Sequence, residues 1–247
     1  MTLSAITAVP QSNYQWKHLI PAGPDYAIFD DSRVVESGKI GAFDTATQKA
    51  GKWNAILPET FWRDITAAAV VYVPASEATD GAVSSLKHWA YLFVKGGDTI
   101  LFRDDAILVC YTNTGTLHSG HVSIAERWPH VHAWLDGATI TDLDAVLGTS
   151  GAWNDWKYLA VTGSRYAIYS DTKLIESGQI DKKWPFLPSA FRAGPDTVAI
   201  AVEPNGVWKY LFTKGNDLIY FTDAGIAAGP LPISKKWPHV DQWLTAR

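Results

Sequence analysis

Large apolar side chains alternate with polar ones in short runs, and four of these runs align without gaps over fourteen residues: Trp16 to Phe29, Trp89 to Phe102, Trp156 to Tyr169 and Trp208 to Phe221. Period-two alternation marks strands. The third position is His18, Tyr91, Tyr158 or Tyr210, and the fourth is Leu19, Leu92, Leu159 or Leu211. The eighth is always glycine (Gly23, Gly96, Gly163, Gly215). Its polar neighbours predict a tight hairpin turn that needs positive φ. An aromatic residue closes each run, and two residues on stands Asp31, Asp104, Asp171 or Asp223. That aspartate suits a turn in which the carboxylate bonds the backbone. A further strand follows, as in 34–40 and 174–180, both reading Glu-Ser-Gly-x-Ile at the end.

A second shared element carries Trp53, Trp128, Trp184 and Trp237 with a nearby proline, and predicts a short helix. Ahead of each run lies a short apolar segment containing Ala8, Ala67, Ala145 or Ala199. Each unit therefore reads as an inner strand, a hairpin, an outer strand and a short helix. Four such units cannot bury both faces alone, but packed around an axis they can. The predicted fold is all-β: one four-bladed β-propeller over residues 1–247, each blade a four-stranded antiparallel sheet followed by a short helix. The blades fall at about 1–62, 63–138, 139–192 and 193–247. Blades one and three share Tyr-Ala-Ile-Phe/Tyr and Glu-Ser-Gly. Blades two and four share Trp-Pro-His-Val, which reads as a duplicated pair.

Composition narrows the function. Of 247 residues 47% are hydrophobic and the net charge is −4, which excludes intrinsic disorder and argues against nucleic-acid binding. Cys110 has no partner in the chain, so a disulfide scaffold is excluded. No apolar stretch is long enough to span a bilayer. The N-terminus lacks a basic region before an apolar run and no glycosylation sequon occurs. The expected location is cytoplasmic, or outside the cell by release without a classical signal peptide. No nucleophile elbow, phosphate loop or zinc-protease motif occurs, and the Asp30-Asp31 and Asp104-Asp105 pairs recur at one turn, so no enzymatic activity is expected.

The aromatic strand ends, the Leu-Phe-x-x-Gly turn, the aspartate and the later Ile-x-x-x-Trp-Pro resemble the hemopexin-like repeat; 210–215 with 232–238 is the nearest copy. The family usually opens its inner strand with Asp-Ala, which only Asp144-Ala145 keeps, and animal members often carry a disulfide that this chain lacks. In these respects the chain is similar to disulfide-free plant members, among them seed albumins and lectin-like proteins. The resemblance implies a central tunnel in which backbone carbonyls of Thr7, Thr66, Asp144 and Val198 ring a Ca²⁺ or Na⁺ ion, or water. It also suggests haem or a polyamine at the tunnel mouth.

Ten of the twelve tryptophans occupy repeated positions, which favours packing. Trp62 and Trp153 have no counterparts and are candidates for a ligand site. So are His118 and His121, in an insertion found only in blade two. The histidine pairs lack the other residues of a metal site, so surface or capping roles are expected for His130 and His132. Loops 41–52, 75–87 and 112–121 break the repeat and are natural places for binding. The leading expectation is a non-catalytic binding protein for a small polar ligand, a glycan first, with avidity from repeated sites. A haem or polyamine binder and a protein-interaction or storage protein are the alternatives. The duplicated halves could present one surface twice, as in a homodimer.

Overall fold

A computed structural model describes residues 7–10, 16–73, 88–103, 110–111, 117–118, 121–147, 156–202 and 206–243. Blade one is β1 (Thr7–Pro10), β2 (Trp16–Ala22), β3 (Asp25–Phe29) and β4 (Val34–Lys39). Blade two holds β5 (Ala67–Val73), β6 (His88–Lys95), β7 (Asp98–Arg103), a small ribbon of β8 (Cys110–Tyr111) and β9 (Leu117–His118), and the outer strand β10 (Val122–Ser123). It ends in α1 (Ile124–Arg127) and α2 (Pro129–Leu135). Blade three is β11 (Asp142–Leu147), β12 (Trp156–Thr162), β13 (Arg165–Tyr169), β14 (Leu174–Gln179), α3 (Ile180–Lys183) and α4 (Ser189–Arg192). Blade four is β15 (Thr197–Val202), β16 (Trp208–Lys214), β17 (Asp217–Thr222), β18 (Gly225–Pro232) and α5 (Ile233–Lys236), closed by a 3₁₀ turn over Pro238–Trp243.

Each blade is a four-stranded antiparallel sheet in chain order from inner to outer strand. The inner strands touch in a ring, β1 to β5 to β11 to β15 and back to β1, so the fold is the expected four-bladed propeller. The eighth-position glycines turn the hairpins with φ between +54° and +61°. Two expectations change in detail. In blade one the Trp53 element is a set of turns and a 3₁₀ turn at Glu59–Phe61. In blade two, part of the 112–121 insertion forms the β8–β9 ribbon.

No blade has a core of its own. Successive strand residues point to opposite faces, so Leu19 packs toward blade two while Ile20 packs toward blade four. Four apolar clusters result, one at each junction. The helical elements reach across these seams. Arg165 of β13 donates to the carbonyls of Trp134 and Leu135 at 3.2 and 3.0 Å, binding the C-terminal end of α2 to blade three with the charge sign that end prefers.

Candidate functional site

The four junctions are built on one plan, and the candidate site is where the plan is broken. Trp53, Trp128, Trp184 and Trp237 are fully buried, each inserted against the next blade. Their rings lie 4.8 to 5.0 Å from the third-position rings of Tyr91, Tyr158, Tyr210 and His18. Removing an indole of about 200 Å² from water stabilises by roughly 5 kcal/mol before entropy is counted. These tryptophans are blade-to-blade bolts, and a packing role accounts for them.

The bolts Trp128, Trp184 and Trp237 are also hydrogen-bonded through the indole. Trp128 Nε1–H donates to Asp171 at 3.0 Å and Trp184 Nε1–H to Asp223 at 2.8 Å. Trp237 Nε1–H donates to Asp31 at 2.9 Å. A tyrosine hydroxyl supplies a second donor, Tyr158 to Asp171 at 2.9 Å and Tyr210 to Asp223 at 3.5 Å. The Trp-Pro-His histidines extend the clamp: Nε2 of His130 lies 3.1 Å from the Ser170 carbonyl, and that of His239 lies 2.9 Å from the Asp30 carbonyl. A carbonyl only accepts, so each Nε2 carries the proton.

Beside the bolt, blades one and three carry a polar plug. Tyr26 donates to Glu36 at 2.6 Å, and Lys52 meets the same carboxylate at 2.6 Å. Tyr166 donates to Glu176 at 2.5 Å, and Lys183 meets it at 2.9 Å. Burial alone would push both glutamates up. The lysine and tyrosine donors outweigh it and hold both carboxyls below the ordinary value. In blade two the plug is replaced: buried Arg127 donates from Nε to Thr99 Oγ1 at 2.7 Å.

Blade four keeps only the lysine. The strand register puts Ala228, opposite Tyr220, where Glu36 and Glu176 stand opposite Ile28 and Ile168. Leu218 stands where Tyr26 and Tyr166 stand in the alignment. The outer strand bulges here, and Gly229 (φ +94°) sits where an added Cβ would lie 2.7 Å from the Leu218 carbonyl oxygen. On the facing side His18 replaces the tyrosine, and Lys236 takes the vacated donor place on Asp31 at 2.9 Å. Burial raises the Asp31 carboxyl, but Trp237 and Lys236 more than compensate and hold it low. A crevice of about 640 Å³ opens between blades four and one, lined by His18, Asp31, Lys209, Tyr220, Ala228 and Lys236 among others. Such a volume is in the range that holds small ligands.

The residues expected from sequence sit elsewhere. Trp62 is half-buried; its Nε1–H donates to the Leu57 carbonyl at 2.8 Å, and its indole lies so close to Gly41 that a Cβ there would be 2.0 Å from Cδ1. Loop 41–52 is folded beneath it, with Asp44 bonding Ala46 N–H and Thr47 hydroxyl. His121 is exposed, 3.9 Å from Asp98, with its ring 5.9 Å from that of Phe61. His118 lies in β9, where only its pairing with Cys110 is described. Trp153 and the 75–87 loop lie outside the described residues. Among the described residues no three His, Cys, Asp or Glu side chains gather as a metal site.

The strand register bears on the four residues expected to ring the tunnel. The register pairs Thr7 with Leu19 and Asp144 with Leu159, two equivalent positions. Val198 pairs with Phe212, one residue out of step, and Thr66 precedes β5 altogether. The positions equivalent to Thr7 and Asp144 are Ala69 and Ala199, facing Leu92 and Leu211. The inner-strand alanines do not stand at one level, and Thr7, Thr66, Asp144 and Val198 do not share one register position. The Asp144 carboxylate is engaged too: it accepts from Ala145 N–H and Ile200 N–H, both at 2.8 Å.

Sequence reasoning passed over Asp31, Lys209, Tyr220 and Lys236 as a group. The signal was present in the departures from the repeat: histidine in a column of tyrosines, and a lost Glu-Ser-Gly in blade four.

No family model matches the chain, and no curated protein sequence matches it. Among solved structures it is similar to LS24, a seed albumin from Lathyrus sativus, at 13% identity over 98% of this chain and 97% of that one, with a TM-score of 0.62. A structure of BBS1N in complex with ARL6DN aligns at 11% identity over 93% of this chain and 56% of that one, with a TM-score of 0.37. The likeness to LS24 shows the shared four-bladed propeller fold.

Proposed function

We propose that this chain is a non-catalytic binding protein whose ligand is a carbohydrate, held in the crevice between blades four and one. The observation that carries this reading is the missing plug, which leaves a concave site at one junction and brings polar and aromatic groups together there. Ammonium groups of Lys209 and Lys236 offer donors, the Asp31 carboxylate offers an acceptor, and the Tyr220 ring flanks them. Hydroxyls of a sugar both donate and accept, and its C–H face packs on an aromatic ring. A polyamine is favoured less, because Asp30 and Asp31 already accept from Ser32, Arg33, Trp237 and Lys236. An axial Ca²⁺ or Na⁺ rests on the family resemblance alone.

The test is ligand-observed NMR and calorimetry against a panel of monosaccharides and disaccharides. Binding is expected to be weakened by Lys236→Met and unchanged by Trp62→Phe. A panel with no binder, or binding that survives Lys236→Met but is lost with Trp62→Phe, would overturn the reading.

A further inference from the structure

Blades one and three supply an internal template for what the fourth crevice lacks. In both, a carboxylate sits opposite the isoleucine of the third strand and is held by the lysine that precedes the bolt tryptophan, at 2.6 Å in blade one and 2.9 Å in blade three. Blade four retains that lysine as Lys236 but carries Ala228 at the carboxylate position, with its side chain exposed to the crevice. At that point the opposite strand offers Tyr220 rather than isoleucine. Lys236 has three donor hydrogens, of which the hydrogen bond to Asp31 uses one.

We infer that the ligand brings the missing carboxylate: the fourth crevice takes an acidic sugar, of the uronic-acid class, whose carboxylate occupies the place of Glu36 and Glu176 and pairs with Lys236. This rests on the carbohydrate reading and sharpens it. The sugar ring then lies toward Tyr220 and the blade-one side of the crevice. Among the described residues, Glu36–Tyr26–Lys52 and Glu176–Tyr166–Lys183 fill the matching places in blades one and three, so those two junctions hold no such site.

Calorimetric titrations of the full chain with D-glucuronate, D-glucose and acetate test this. Glucuronate is expected to bind at least about tenfold more tightly than glucose, the factor that one charge-assisted hydrogen bond supplies. Lys236→Gln should erase that preference. Ala228→Glu, which installs the carboxylate permanently at an exposed position, should abolish glucuronate binding while leaving the melting temperature at or above that of the parent. Equal or tighter binding of glucose overturns the acidic-sugar inference and leaves the carbohydrate reading standing. A glucuronate preference that persists in Lys236→Gln also overturns it. Acetate binding as tightly as glucuronate removes the sugar from the account and overturns the carbohydrate reading. Binding of neither sugar overturns both.

Discussion

The carboxylate of Asp144 in blade three accepts a 2.8 Å hydrogen bond from the backbone N–H of Ile200 in blade four, so the side chain of one inner strand stands in for a strand partner of the next. Asp142 repeats the contact two residues earlier, with Val198 N–H at 2.8 Å and Leu143 N–H at 2.9 Å. Both aspartates are fully buried. Ala67 and Ala69 occupy the matching positions in blade two and can make no such bond, so the described latch belongs to the junction between blades three and four.

Asp144→Ala therefore leaves two inner-strand amide groups without their acceptor. The expected loss is about 2–4 kcal/mol of stability, read from urea denaturation.

His18→Tyr restores the tyrosine that the other three blades use. The hydroxyl is expected to donate to Asp31, as Tyr158 does to Asp171, and to raise stability by about 0.5–1.5 kcal/mol. The same change intrudes on the crevice, so the melting temperature should rise while sugar affinity falls, as read by thermal melts and titration of the same sample.

Acid should weaken the propeller in a defined window. Glu36 and Glu176 have folded pKa values below their ordinary value of 4.5, and Asp31 lies below 3.8. A depressed carboxyl contributes stability above its unfolded pKa, and that contribution is lost as pH falls through the folded value. Stability measured by denaturant titration should thus be level in these groups at neutral pH and decline from about pH 4.5 downward. The double variant Glu36→Gln, Glu176→Gln should show a shallower decline over the same range.

Gly41→Ala should cost about 1–3 kcal/mol, because the new methyl group would occupy the space of the Trp62 indole. In a Trp62→Ala background the same substitution should cost little. A double-mutant cycle of melting curves measures the coupling, and an additive result would show that the two residues do not press on each other.

Much of this molecule was written in the order of its residues. The glycine that turns each hairpin, the alternation that buries both strand faces and the returning tryptophan together specify four sheets. Four sheets with two apolar faces each have no better solution than a closed ring. These signals are local or periodic, so a linear reading recovers them. The inner-strand register was less legible, since an alanine can stand at several levels of a strand and only hydrogen-bonded pairing says which. The crevice was legible least. His18 and Asp31 lie at one end of the chain and Tyr220, Ala228 and Lys236 at the other, and only ring closure sets them face to face. The repeat specified what each junction should contain; the tertiary structure decided that at one junction the absence of a carboxylate and a tyrosine leaves open space, because cavity and charge depend on residues that meet only after the chain has closed.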